Sequence, residues 1–387
     1  MNSGASVSSS ARAWGKADFT VAIALLVWSL LMLWLCWQQG AQHDYRAYLS
    51  QWQLLLDGAD PWSTKKNTYG PLQTIVGFLL PYGPLAPKLL IVSALLLANA
   101  ALVFNLIRER GVSPILIIYL LAVPANVLTV GVGVVFGLND ATVAALLVTA
   151  VLLRLRGNFV ATGAVIGAAA LVKYYPLLML PFFALNGRRL HWPVIASGLA
   201  VFCVGMAAAV SIWGDGLLDA ISYGANRNAK LLSILFPLKK LLGDVEIVRW
   251  LREYNAYLVV SGVAAVFLCA WRAGRNWLEA SVLGYLVMLT LYKVGHQQFY
   301  LPWLFMVAAL PLINKQSADR MAIIFLPAVL LLSLYHFGYT LDHYEHELSW
   351  VRSYGGLIAF VVSAASIAVC MIDYRRQPHP GGVTGDK

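Results

Sequence analysis

Long apolar runs recur along this chain from end to end, and they constrain its fold more than any other feature. Of its 387 residues, 60% are hydrophobic and only 12% are charged, whereas a soluble protein carries about 25% charged residues. The sequence therefore predicts an all-α polytopic membrane protein, a bundle of about twelve transmembrane helices. The twelve apolar segments run near residues 20–39, 88–107, 112–130, 140–155, 159–173, 175–187, 191–212, 256–272, 276–293, 299–313, 321–340 and 354–373.

Basic residues alternate with these segments and predict their orientation. Because positive residues favour the cytoplasmic side of a membrane, we expect both termini in the cytoplasm. This predicts an N-terminal tail over 1–19, a membrane domain over 20–373 and a C-terminal tail over 374–387. The basic pairs stand at every second junction, namely at Arg12/Lys16, Arg108/Arg110, Arg154/Arg156, Arg188/Arg189, Arg272/Arg275, Lys315/Arg320 and Arg375/Arg376.

The charge and the cysteines limit the partners and cofactors of the chain. Its net charge of +10 suits contact with membrane lipids and phosphates, and no soluble basic domain is visible that would bind nucleic acid. The four cysteines fall inside apolar runs, with neither metal-ligand spacing nor a disulfide framework. A group of four polar residues near the last outer loop has a spacing that matches no standard metal motif, so we expect no metal ion and no other cofactor. That group consists of His336, His343, Glu345 and His346.

The first outer loop, residues 40–87, combines an amphipathic helix with a proline-broken segment. Apolar residues follow Asp44 at helical spacing, which predicts a helix lying on the membrane surface. The stretch 71–87 is apolar but contains four prolines, so we expect a re-entrant or interfacial piece. Between them, Asp60-Pro61 predicts a turn. The apolar positions of the predicted helix are Tyr45, Tyr48, Leu49, Trp52, Leu55 and Leu56.

A second irregular region is predicted where two basic pairs stand close together. Residues 158–187 separate these pairs and are too few for two spans of about 20 residues each. We therefore expect a hairpin of short helices that enters the membrane and returns, with Lys173-Tyr174-Tyr175-Pro176 at its turn. A longer outer loop is expected over 213–255. No internal repeat indicates an inverted-repeat transporter.

Polar residues gather at the outer ends of the predicted helices. An ionisable residue at membrane depth points to function, although the side chain of Lys173 can also extend to the interface. Asp44 and the pair Asn139-Asp140 can be helix caps or functional carboxylates. The gathered residues are Asp44, Asp60, Asn139, Asp140, Lys173, Asn226, Arg227, Asn228, Lys230, Lys293, His296, Gln297 and Gln298.

Four motifs, taken in order, resemble those of a known group of membrane enzymes. They are Asp44-Tyr45 through Asp60-Pro61-Trp62 and Tyr69-Gly70-Pro71-Leu72; Gly137-Leu138-Asn139-Asp140; Leu171-Val172-Lys173-Tyr174-Tyr175-Pro176; and Lys293-Val294 followed by Gln297-Gln298-Phe299-Tyr300-Leu301-Pro302-Trp303. Over roughly residues 40–305 the chain resembles GT-C glycosyltransferases that use polyprenyl-phosphate sugars. It is similar above all to family 87, the polyprenol-phosphate-mannose-dependent α-mannosyltransferases, and also to the catalytic subunit of glycosylphosphatidylinositol mannosyltransferase I. Trp62 and Gly70 depart from the family's usual Tyr and frequent Pro.

This resemblance implies a GT-C fold and the transfer of a hexose, mannose above all, from a polyprenyl-phosphate sugar to a lipid-linked or glycan acceptor. It also implies a location in a bacterial inner membrane, with the reaction on the periplasmic or extracellular side and inversion at the anomeric carbon. Asp44 matches the family's catalytic position and is the expected general base. The candidates for the donor phosphate are Lys173, Tyr174, Lys293 and His296, and those for substrate binding are Tyr45, Tyr69, Asn139, Asp140 and Gln298.

Two other function classes stay open at this point. A transporter or flippase for a lipid-linked glycan intermediate would need polar groups along the depth of the membrane, whereas here they gather at one face. An oligosaccharide polymerase or ligase would usually carry a larger outer loop with arginines than residues 213–255 provide.

Overall fold

A computed structural model of the chain describes residues 14–42, 44–63, 67–219, 228, 232–313, 315–345 and 349–376, with side chains except at 115, 315–318, 339–345, 349, 351–353 and 375–376. The architecture is helical. The helices are α1 (Lys16–Gln39), α2 (Asp44–Leu56), α3 (Pro71–Ile75), α4 (Ala86–Arg110), α5 (Pro114–Ala122), α6 (Asn139–Leu155), α7 (Phe159–Val172), α8 (Leu180–Phe183), α9 (Trp192–Trp213), α10 (Leu235–Leu242), α11 (Glu246–Glu253), α12 (Asn255–Ala273), α13 (Trp277–Leu291), α14 (Tyr300–Ala309), α15 (Lys315–Glu345) and α16 (Ser349–Arg376).

Shorter elements break or extend these helices. A π-helix over Thr129–Val135 precedes α6, and 3₁₀ turns cover Val76–Tyr82, Tyr175–Met179, Gln297–Phe299 and Leu310–Leu312. A two-stranded antiparallel hairpin joins α8 to α9, with Leu185–Asn186 pairing with Arg189–Leu190. The short helices predicted over 158–187 are present as α7, the turn at Tyr175–Met179 and α8, while their path into the membrane stays a prediction. The small sheet after α8 was not predicted.

Six helices of the described chain are long and apolar enough to cross a membrane, which supports an all-α membrane protein. They are α1, α4, α9, α12 and the apolar parts of α15 and α16. A seventh span is possible if the π-helix and α6, bent by 107° to each other, are taken together. The predicted count of about twelve is not confirmed. The other predicted segments form helices that are too short to cross a bilayer. Helices enclosed by protein, such as α13 and α14, need not match the thickness of the bilayer.

Close backbone packing fixes α7 against α9. A Cβ added to Gly163 would lie 2.0 Å from the carbonyl oxygen of Val194, and one added to Gly167 would lie 2.4 Å from that of Gly198. Small residues four apart are the usual means by which helices approach closely in membranes. The contact holds the end of α7, and with it Lys173, in a defined place.

Arginines tie helix ends together at the end of the bundle where the sequence places the cytoplasm. Arg110 donates to the carbonyl of Pro311, and Arg154 donates to the carbonyls of Phe183 and Leu185. Arg188 donates to the Arg272 carbonyl at the end of α12. On α16, the Asp373 carbonyl accepts from Arg275, and the Asp373 carboxylate forms an ion pair of 2.6 Å with Arg320. The basic pairs thus satisfy helix carbonyls as well as carrying charge, and the side of the membrane on which they lie stays a prediction.

Helix α2 corrects one expectation. Its apolar face is buried against the proline-broken segment: the Trp52 indole N–H donates to the Gln73 carbonyl at 3.0 Å, and Gly77 lies against the Trp52 ring. The helix therefore packs on protein through the face that was predicted to lie on lipid. Helical periodicity predicts an apolar face, but it does not say which apolar surface covers that face.

Candidate functional site

A buried ion pair joins two of the sequence motifs. The Nζ atom of Lys173 lies 2.6 Å from Oδ2 of Asp140, and the side chains are 9% and 0% exposed. Lys173 follows the last residue of α7, and Asp140 lies in the first turn of α6. The hydroxyl of Tyr175 donates to the second carboxylate oxygen at 3.0 Å. Lys173 is therefore held inside the protein and does not extend to the interface.

The cap interpretation of Asn139 and Asp140 does not hold. The N-cap position of α6 is occupied by Leu138, and neither polar side chain makes a capping bond there. Asn139 is fully buried, and both its amide nitrogen and its amide oxygen have no hydrogen-bond partner among the described residues. Buried polar atoms are nearly always paired, so this amide is a candidate for contact with a bound polar molecule.

Phe299 is the centre of an aromatic cluster beside the ion pair. The Lys173 ammonium lies 4.5 Å from the centroid of the Phe299 ring, a cation–π distance. Tyr175, Tyr292 and His296 have their ring centroids about 6 Å from the same ring. The cluster brings the motif Lys173-Tyr174-Tyr175-Pro176 together with the motif that follows α13. Phe299 belongs to one of the four sequence motifs, but the sequence did not predict this central position.

Tyr69 reaches this cluster because Gly70 lets the chain approach α7. The Gly70 N–H donates to the Val172 carbonyl at 3.0 Å. A Cβ on Gly70 would lie only 2.1 Å from the backbone oxygen of Leu171, so no larger residue fits without a backbone shift. The Lys173 ammonium lies 6.0 Å from the Tyr69 ring centroid. The departure of Gly70 from the family's frequent Pro thus has a steric reason in this chain.

Tyr48 connects Asp44 with the same cluster. Asp44 is exposed and is the first residue of α2, and Tyr48, one turn later, packs edge-on against Tyr69 with centroids 4.8 Å apart. Burial raises the pKa of Tyr48 well above its usual value, and Tyr69 and the carboxylates of Asp44 and Asp140 raise it further. The Tyr48 side chain thus lies within electrostatic range of both carboxylates.

The residue beside Asp44 has a different environment. Tyr45 is fully buried, and its hydroxyl donates to the Pro84 carbonyl at 2.8 Å and accepts the Lys88 N–H at 3.0 Å. This candidate for substrate binding thus holds α2 in place. The ring of Tyr174 lies edge-on to Phe202 of α9, and its buried hydroxyl has no hydrogen-bond partner among the described residues, so its role in donor binding stays a prediction.

The segment after α13 carries the remaining candidates. The Lys293 ammonium donates to the Arg252 carbonyl at 3.1 Å, and its main-chain N–H donates to the Asn255 side chain. Burial, and to a lesser extent the charge of Arg252, lowers the pKa of Lys293. His296 precedes the 3₁₀ turn and is half-buried, while Gln298 is buried with its amide oxygen unpaired among the described side chains.

The described parts of the predicted outer loop over 213–255 contact two segments that belong to the sequence motifs. At the start of the loop, the Trp213 ring packs at a tilt against the Trp62 ring, with centroids 5.6 Å apart, and the Asp60 carboxylate accepts the Trp62 main-chain N–H in the predicted turn. Further on, the Leu232 N–H donates to the Gly295 carbonyl. The predicted polar residues at 226, 227 and 230 lie outside the described residues.

An open pocket of about 470 Å³ lies between α10 and α11 in this loop. Its lining combines three basic side chains with an amide and apolar walls: Asn228, Leu235, Phe236, Lys239, Lys240, Val248 and Arg252. Because Lys293 bonds to Arg252, this basic pocket adjoins the segment that contains His296.

The part of the chain that the structure describes holds no group of three or more His, Cys, Asp or Glu side chains that could bind a metal ion. His336 is buried against Gly131 of the π-helix. The side chains of the other predicted members at 343, 345 and 346 lie outside the described residues.

A comparison with protein families gives this arrangement its context. The model of glycosyltransferase family 87 matches residues 67–292, more than half of the chain. The chain belongs to glycosyltransferase family 87. It is therefore a membrane glycosyltransferase, which acts on a donor and an acceptor in the membrane.

The matched range of family 87 includes Tyr69, the Asp140–Lys173 pair and Tyr175. It does not include Asp44, which lies before it, or the His296 segment, which lies after it. No curated protein and no solved structure matches the chain. The resemblance to glycosylphosphatidylinositol mannosyltransferase I has no support from these comparisons.

Proposed function

We propose that this family 87 enzyme transfers a hexose, mannose above all, from a polyprenyl-phosphate sugar to a hydroxyl of a lipid-linked or glycan acceptor. The observation that carries this proposal is the buried Asp140–Lys173 pair beside the aromatic cluster, which Tyr48 connects with Asp44. Lys173 and the exposed Asp44 are the cation and the carboxylate that such a transfer needs.

In the proposed reaction, the oxygen of the acceptor hydroxyl forms a bond to the anomeric carbon, and its proton passes to the Asp44 carboxylate. The bond between the anomeric carbon and the phosphate oxygen breaks, and its electron pair leaves with the polyprenyl phosphate. Negative charge therefore grows on the phosphate in the transition state, where a fixed cation stabilises it. A single displacement of this kind inverts the anomeric configuration.

Lys173 is the proposed cation for the departing phosphate. Asp140 holds its ammonium in place before the donor binds, and the Tyr175 hydroxyl holds the Asp140 carboxylate in turn, so the position of the charge does not depend on a flexible side chain. Lys293 and His296 belong to the segment that leads to Phe299 and are proposed to contact the same phosphate. We propose that Tyr69, Asn139, Asp140 and Gln298 bind the sugar or the acceptor.

The proposed location is the bacterial inner membrane, with both termini in the cytoplasm and the site at the outer face. The segregation of the helix-capping arginines at the end opposite to Asp44 supports this orientation. Family membership argues against the alternative of a transporter or flippase.

The experiment uses the purified protein in lipid nanodiscs with radiolabelled polyprenyl-phosphate mannose and an extract of membrane lipids. We expect a labelled lipid product that disappears when Asp44→Asn replaces the wild type. Full turnover by a folded Asp44→Asn protein would remove Asp44 as the base, and the absence of any product with the wild type would overturn the proposed donor.

A further inference from the structure

Lys88 is a further buried lysine, and it contacts chain segments that precede the proposed site residues. Lys88 is 0% exposed, although it lies near the start of α4 and lysines near helix ends usually extend to solvent. Its ammonium donates to the carbonyls of Gly40 and Val135 at 2.6 and 2.5 Å. Among the described residues, no carboxylate lies within ion-pair distance of it.

Helix dipoles explain how this charge is tolerated. Gly40 caps the C-terminus of α1, and Val135 is the last residue of the π-helix. The C-terminal end of a helix is equivalent to about half a negative charge, so two such ends together balance about one ammonium. Two helix ends therefore take the place of a carboxylate partner, and the Lys88 ammonium binds both of them.

The position of these two ends connects Lys88 with the site. Gly40 is followed four residues later by Asp44, and Val135 is followed four residues later by Asn139, which precedes Asp140. One ammonium therefore joins the two chain segments that lead into the two carboxylates of the site.

Two further contacts act in the same place. The Lys88 main-chain N–H donates to the hydroxyl of Tyr45, in the first turn of α2, and that hydroxyl donates to Pro84. The stem of Lys88 lies over Gly137, where an added Cβ would meet its Cγ at 2.5 Å and where φ is +59°. Glycine at 137 is therefore required both by the backbone and by the lysine.

We infer that Lys88 is a positioning residue that fixes the separation between Asp44 and the Asn139-Asp140 pair by holding the ends of α1 and the π-helix together. Its ammonium is occupied by two main-chain carbonyls, and its effect on transfer rests on the proposed function. Its effect on the two chain segments does not.

The test measures amide hydrogen exchange by mass spectrometry for wild type, Lys88→Met and Lys16→Met in nanodiscs. Met keeps the stem over Gly137 but donates no hydrogen bond, and Lys16 is an exposed lysine at the other end of α1. Hydrogen bonds to a charged group are strong enough for their loss to raise local opening about tenfold or more. We expect that rise in Lys88→Met at both 40–45 and 133–139, with α7 unchanged and with no rise in Lys16→Met.

Unchanged exchange at either segment would overturn the inference, and so would a rise throughout the protein, which would indicate general destabilisation. If Lys88→Met does not fold, Gly137→Ala displaces the lysine stem and leaves its charge. The informative segment is then 40–45, which is remote in sequence from the substitution. Faster exchange there supports the inference, and wild-type exchange there overturns it.

A kinetic measurement adds the link to transfer. We expect kcat per donor-binding site to fall about tenfold in Lys88→Met while the donor Kd stays within about twofold. A purely structural defect would lower the number of binding sites and leave kcat per site unchanged. If the wild type transfers no sugar, the proposed function fails, and the exchange measurement still decides whether Lys88 joins the two segments.

Discussion

Replacing either partner of the Lys173–Asp140 pair alone should destabilise the protein strongly. Both side chains are almost completely buried and lie 2.6 Å apart, so Lys173→Met or Asp140→Asn leaves the other charge in the interior without its partner. Removing one member of a buried pair costs about 3–5 kcal/mol. At about 2 °C per kcal/mol for a large domain, the melting temperature should fall by about 6–10 °C.

The double variant Lys173→Met/Asp140→Asn separates this explanation from a loss of packing. Because no uncompensated charge remains, most of the lost stability should return. The assay is thermal unfolding in detergent, followed by intrinsic fluorescence, with the exposed Lys239→Met as the matched control. Single variants that melt like the wild type, or a double variant that adds the two losses, would refute the buried pair.

The remaining predictions concern turnover and packing. Asp44→Asn should abolish sugar transfer with an unchanged melting temperature, whereas the exposed Asp57→Asn just after α2 should transfer normally; substantial turnover by a folded Asp44→Asn would contradict the assignment. Lys173→Ala should raise KM for the donor much more than for the acceptor, and equal changes would count against a phosphate contact. Gly70→Ala should lower the folded yield and melting temperature, because its methyl meets a backbone oxygen at 2.1 Å, whereas Gly15→Ala, with no neighbour nearer than 3.7 Å, should not.

Much of this architecture is predictable from local sequence. The apolar runs predict where helices form, the prolines predict the broken segment after Pro71, and Asp60-Pro61 predicts a turn that the structure contains. These features depend on neighbouring residues, which is why periodicity and turn chemistry identify them.

The number of spans is not predictable in the same way. The apolar segments near 159–173 and 299–313 form helices of 14 and 10 residues, shorter than a bilayer requires. An apolar residue packs equally well against lipid and against another helix. Composition alone therefore does not distinguish a span from a helix enclosed by protein.

The side-chain pairings within the site also cannot be predicted from the sequence. Lys173 and Asp140 are 33 residues apart, and each looked like the end of its own helix. Lys88 gave no signal, because lysines near helix ends usually extend to solvent. Its burial follows from the convergence of two helix ends at Gly40 and Val135, a property of the tertiary fold.

The most direct measurement of the central claim supplies the purified enzyme with mannose labelled in two different donors. In one reaction the label is on polyprenyl-phosphate mannose, and in the other it is on a nucleotide-linked mannose, with the same lipid extract as acceptor. Reactions with polyprenyl-phosphate glucose and arabinose test the choice of sugar. The account predicts a labelled product from the polyprenyl-phosphate mannose alone, and labelling only from the nucleotide sugar would contradict it.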